Sequence, residues 1–97
     1  MPITLKPHLD LELEKPKMYL VSILSDSHIP WKFCMSVLTS IFHKSDEDAL
    51  ILTDEILTHG ECFCGVYMFE IAETKAVTVE KLAEDDGFSI HCLIEEV

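Results

Sequence analysis

Cys62-Phe63-Cys64-Gly65-Val66-Tyr67-Met68-Phe69 runs directly into Glu70-Ile71-Ala72-Glu73-Thr74-Lys75, and the hydrophobic period changes at the join. The first eight residues are apolar and rich in aromatics, as in a strand. Gly65 inside that run marks a bulge or a close approach of backbone. From Glu70 onward, Ala72, Ala76, Val79 and Ala83 recur at i, i+4, i+7 and i+11, which is one stripe of a helix. That helix is expected to end at Asp85-Asp86-Gly87. A strand feeding a helix with a single apolar stripe predicts helix packed on sheet.

The flanking segments extend this pattern. Met18-Tyr19-Leu20-Val21-Ser22-Ile23-Leu24 reads as a first, largely buried strand, followed by the polar loop Ser25-Asp26-Ser27-His28. Pro30 suits the first turn of a helix, where its missing N–H costs nothing. Phe33, Cys34, Val37, Leu38 and Ile41 give that helix one apolar face. After a break at His43-Lys44, Ser45 is a good N-cap, and Asp46, Glu47 and Asp48 face the positive end of the helix dipole. The second helix is expected to run to about His59, with Gly60 as its stop. Its apolar positions are Ala49, Leu50, Leu52, Ile56 and Leu57. Phe88–Ile94 reads as the last strand. The expected fold is therefore α+β, one domain over 18–97 in the order β-α-α-β-α-β, with three helices on one face of a three-stranded antiparallel sheet. Residues 1–17 carry three of the four prolines. Leu9-Asp10-Leu11-Glu12-Leu13-Glu14 alternates like a strand but has no turn to anchor it, so a flexible N-terminal tail is expected.

Ninety-seven residues suffice for one core and not for two. The formal charge is −11, from 18 acids against 7 bases. Such a field repels nucleic acid and anionic membrane and favours basic partners or ligands carrying an ammonium group. It also serves solubility alone. No apolar run approaches the roughly 20 residues of a membrane span. The start has neither a secretory pattern nor an Arg- and Ser-rich transit pattern. A cytoplasmic monomer is expected.

His59, Cys62, Cys64, His91 and Cys92 suggest zinc at first sight. However, Cys-x-Cys within a strand points both thiols to one face, whereas structural zinc knuckles use wider spacing around a turn. Buried thiols acting as small hydrophobes are the simpler reading, and a disulfide framework does not fit an intracellular chain. Cys34 or Cys64 paired with a histidine lacks a Gly-rich oxyanion turn and an orienting carboxylate. No Ser/His/Asp signature, P-loop or dinucleotide fingerprint is present. No enzymatic activity and no cofactor or metal are expected. A small metal- or redox-active cysteine protein stays as the alternative of another class, which the metal content of the purified protein tests. Lys75 is unexpected near a helix start, because a cation there gains nothing from the dipole. The residue pattern leaves open whether it is merely solvated or serves an external partner.

Cys64-Gly65-Val66-Tyr67 with Glu70-Ile71-Ala72-Glu73-Thr74-Lys75, the strand Lys17–Leu24 after a proline-containing linker, and the closing Cys92-Leu93-Ile94-Glu95 together resemble the ClpS adaptor family. Members of that family deliver substrates to Clp-type AAA+ unfoldases. The resemblance runs from about Pro16 to Val97 without a gap. It implies two surfaces. One, on Tyr67, Glu70, Thr74 and Lys75, binds the N-terminal domain of a ClpA- or ClpC-type unfoldase. The other is a pocket for protein substrates with bulky apolar N-terminal residues, the N-degrons. Such a pocket needs an apolar cavity for the side chain and acceptors at its mouth for the α-ammonium. The family's mouth is an Asn-Asp pair after the first strand and a His late in the second helix. Here the corresponding residues are Ser25, Asp26 and Leu57, so only the Asp is kept. Ile29 stands at the usual Thr cap, Trp31 at the Met gatekeeper, and Cys34, Thr53, Ile56 and Ile90 at lining positions. His59, two residues beyond Leu57, lies about 200° around a helix from it. The resemblance thus implies an adaptor with altered or weakened N-degron recognition. The alternative is a ClpS-like modulator that docks on the unfoldase without N-degron binding. The tail is expected to be needed for delivery.

Overall fold

The computed structural model describes residues 15–25 and 28–97. Along the chain these form β1 (Tyr19–Leu24), α1 (Trp31–Ser40), α2 (Asp46–His59), β2 (Glu61–Tyr67), α3 (Phe69–Asp85) and β3 (His91–Glu96). The sheet order is β2-β1-β3, and both pairings are antiparallel. This is the expected α+β arrangement. The expected tail, residues 1–17, lies outside the described residues except for Lys15-Pro16-Lys17.

β1 is the central strand, which explains its apolar composition. Ile23 sits across from Cys62 on one side and Cys92 on the other, and Ile23 and Cys62 are both in the core. Pleating places the neighbouring residue on the opposite face. There Ser22 lies between Phe63 and Leu93, which are 58% and 42% exposed. Helices therefore cover one face and leave the other to solvent. The register slips opposite Val21/Ser22, where Gly65 pairs with Val21 and Phe63 pairs with Ser22. Cys64 is the extra residue of this bulge. Gly65 is also closely approached, by a side chain and not by another backbone: a Cβ there would lie 2.6 Å from the Tyr67 hydroxyl.

Helix ends follow local chemistry. Ser45 Oγ accepts the Asp48 N–H at 3.1 Å, and Gly60, at φ 80°, closes α2 in the left-handed conformation that glycine tolerates. On α3 the stripe Ala72, Ala76, Val79 and Ala83 is buried throughout.

Three details differ from the sequence reading. Pro30 is the N-cap of α1 and not its first turn, with Ile29 just before it, buried in the core. Leu50 and Leu57 are exposed, because they lie roughly 80–100° around the helix from Ala49, while Ala49, Thr53 and Ile56 share the buried side. β3 begins at His91 and not at Phe88. Phe88 is used to end α3: its N–H bonds to the Ala83 carbonyl and the Gly87 N–H to the Glu84 carbonyl, a Schellman closure. Its ring then packs edge-on against Phe33 at 5.2 Å.

Candidate functional site

The residues singled out in the sequence fall into two groups in space. The first is the join of β2 and α3. Glu70 and Thr74 lie one turn apart on the exposed side of α3, and the Thr74 hydroxyl donates to the Glu70 carbonyl at 2.9 Å. Tyr67 is half-buried, and burial raises its phenol above the ordinary value, with the nearby Cys64 adding to the shift. Lys75 is different. Its Nζ donates to the Ile41 carbonyl at the end of α1 and lies 5.2 Å from the Tyr67 ring and 5.8 Å from the Phe42 ring. Its ammonium thus turns inward instead of standing free for a partner.

Met68, Phe69 and Ile71 around this join are each about half exposed, and Phe69 meets Tyr19 edge-on at 5.2 Å. The sequence reading passed over these three because they look like ordinary core residues. All three precede Ala72, and Ile71, about 100° around the helix from it, lies off the buried stripe, which was the available signal.

The second group surrounds α1 and α2. Cys34, Ile56 and Ile90 line a cavity of about 10 Å³ together with Ile23, Phe33, Val37, Leu38, Cys62 and Val79. That volume holds about one water-sized probe, so a leucine or phenylalanine side chain enters only if the walls move. Ile29 and Thr53 are buried without lining this cavity. The Thr53 hydroxyl is buried with no hydrogen-bond partner. Trp31 and Leu57 face solvent, at 53% and 44% exposure. Ser25 Oγ lies 3.4 Å from the Ser89 carbonyl, and the Ser25 N–H bonds to the Gly60 carbonyl. Asp26 lies outside the described residues. Of the nine pocket positions, then, three share the cavity. His59 is the last residue of α2 and lines an open groove with Leu24, Ser25, Gly60, Glu61 and His91, which places it beside Ser25.

The four cysteines are free thiols, three of them buried. Burial pushes Cys34 up to about 11 and, with the Glu80 carboxylate nearby, Cys92 up to about 12. Cys64 is raised by its hydrogen bond with Cys62, whose sulfur is 4.0 Å away, and by burial. Cys62 is lowered by that same contact with Cys64. Metal binding and nucleophilic attack both require thiolate, which the surroundings of Cys34, Cys64 and Cys92 disfavour. Among the described residues no group of three or more His, Cys, Asp or Glu side chains is placed to hold a metal ion. No helix among them is long and apolar enough to cross a membrane.

The sequence profile of the family described as ATP-dependent Clp protease adaptor protein ClpS matches residues 14–93. The chain belongs to the ClpS family. Relatives bearing the name ATP-dependent Clp protease adapter protein ClpS include one from Nautilia profundicola, 34% identical over 88 residues, covering 91% of each chain. Another, from Phenylobacterium zucineum, is 39% identical over 83 residues, 86% of this chain and 76% of that one. Among solved structures, Agrobacterium tumefaciens ClpS2 bound to L-phenylalaninamide superposes with a TM-score of 0.78 at 29% identity, covering 86% of this chain and all of that chain. The chain is thus a ClpS-type Clp protease adaptor, in a fold shared with a solved ClpS2.

Proposed function

We propose that this adaptor binds the N-terminal domain of a ClpA- or ClpC-type unfoldase in the cytoplasm, acts by binding and not by catalysis, and presents N-degron substrates with weakened or shifted selectivity. The observation that carries the docking half is the exposed start of α3. There Glu70 and Thr74 stand together between the half-exposed Met68, Phe69 and Ile71. A polar pair flanked by apolar side chains suits a specific, salt-sensitive contact.

For the ligand half, L-phenylalaninamide on the related ClpS2 has a phenyl side chain and a free amino group, the chemistry of an N-terminal phenylalanine. Here the apolar part of such a ligand falls to the cavity walled by Cys34, Ile56 and Ile90. The ammonium falls to Ser25 and Asp26. Leu57 supplies no acceptor, and a hydrogen bond to a charged group is worth roughly 1.5–3 kcal/mol. Its loss weakens binding about tenfold to over a hundredfold.

The cavity of about 10 Å³ also supports a second reading, a modulator that docks on the unfoldase without taking N-degrons. Titration with peptides beginning Leu, Phe, Tyr or Trp, each paired with its N-acetylated form, separates the two. Weak binding that acetylation abolishes supports the adaptor reading, and no binding by any peptide supports the modulator. Tight binding of all four overturns the weakened pocket.

A further inference from the structure

Lys75 lies on the helix that the adaptor reading gives to the unfoldase, yet its ammonium is spent inside the molecule. Nζ is 2.5 Å from the carbonyl of Ile41, 34 residues earlier in the chain. Ile41 is the C-cap of α1. Carbonyls at a helix C-terminus lack intrahelical donors, and the dipole there favours a cation. The last turn of α1 has no basic residue of its own, so α3 supplies one from across the fold. The Phe42 and Tyr67 rings, 6.3 Å apart, both lie within cation–π reach of the same ammonium. The absence of a side chain at Gly65 makes room for the Tyr67 ring in this arrangement.

We propose that Lys75 is a positioning residue whose ammonium clamps the end of α1 to α3. The clamp holds the helix that contributes Phe33, Cys34, Val37 and Leu38 to the apolar cavity. The docking end of α3 and the wall of the ligand side are thereby one mechanical unit. A partner acid that recruits this ammonium must break its bond to Ile41 and release the last turn of α1. The statement about the ligand side rests on the N-degron reading, whereas the clamp itself does not.

Amide hydrogen exchange of the full chain tests the clamp without any partner. The amides of Ile41, Phe42 and Lys44 bond back to Val37 and Leu38 carbonyls. In Lys75→Met these three should exchange about ten- to a hundredfold faster, the span of a lost bond to a charged group. Lys75→Arg, which keeps the charge and the donors, should restore most of the protection. A readout needing no variant is acetylation by an amine-reactive ester: Lys75 in the unaltered protein should react about tenfold or more slowly than the exposed Lys32 and Lys81. Unchanged exchange in Lys75→Met, or acetylation of Lys75 as fast as that of Lys32, overturns the clamp. For the ligand side, a Phe-initial peptide should bind Lys75→Met more weakly and Lys75→Arg about normally. Equal binding to both variants overturns the link to the cavity. If the unaltered protein binds no such peptide, the ligand half falls with the N-degron reading, and exchange and acetylation still decide the clamp.

Discussion

Gly65→Ala is the substitution whose effect the structure bounds most tightly. Gly65 is not among the residues with positive φ, so its backbone accepts alanine, and the question is one of space alone. A Cβ at this position would lie 2.6 Å from the Tyr67 hydroxyl, 2.9 Å from Cζ and 3.0 Å from Cε2. The whole outer edge of the ring must therefore move, not only its tip. Moving it sacrifices the contact with Lys75, about 0.5–2 kcal/mol, and the tilted contact with Phe42, about 0.5–1.5 kcal/mol. Opposing this, alanine restricts the unfolded chain and stabilises by about 0.4–1 kcal/mol. The net expectation is a loss of about 1–2 kcal/mol, or a fall in Tm of about 5–15 °C for a domain of this size. Urea and thermal unfolding followed by far-UV circular dichroism measure it. In a Tyr67→Leu background the cost of the alanine should vanish, and the double-mutant cycle returns the coupling. A neutral or stabilising Gly65→Ala refutes the reasoning, as does a cost that persists without the tyrosine ring.

Other consequences are smaller but direct. Thr53→Val replaces a buried, unpartnered hydroxyl by a methyl of similar size and should stabilise by about 1–3 kcal/mol in urea titration; destabilisation would show that the hydroxyl has work to do. Ser45→Ala removes the cap on Asp48 N–H and should cost about 0.5–2 kcal/mol by the same assay. Cys34 is raised from 9.0 to about 11 and Cys92 from 9.0 to about 12. Between pH 9 and 11 the unfolded chain therefore releases thiol protons that the folded chain keeps, so the unfolded state binds fewer protons and stability falls as pH rises. Below pH 9 this contribution is constant. A unfolding series from pH 8 to 11 in reductant checks the sign, and Cys34→Ala with Cys92→Ala should flatten the slope.

Much of this architecture was legible because it depends on local patterns. The stripe Ala72, Ala76, Val79 and Ala83, the Ser45 cap and the Gly60 stop each follow from spacing or backbone chemistry within a few residues. What escaped the sequence depends on contacts between distant segments. The residue pattern left open what Lys75 does, because the Ile41 carbonyl that its Nζ bonds to is 34 residues away. Leu50 and Leu57 looked like core because hydrophobicity does not say which edge of a helical face meets a neighbour. The late start of β3 reflects competition for Phe88, which the end of α3 wins. On the ligand side, residue identities pointed to the family's pocket positions. Whether those side chains converge on a cavity is a matter of packing: Cys34, Ile56 and Ile90 do, while Trp31 and Leu57 face solvent.

The central claim, an adaptor that docks through the start of α3, is tested most directly by calorimetric titration of the full chain with the N-terminal domain of a ClpA- or ClpC-type unfoldase. The account predicts a one-to-one complex that weakens as salt is raised and that Glu70→Lys weakens at least tenfold with the fold intact. No complex at all, or one indifferent to Glu70→Lys, would contradict it.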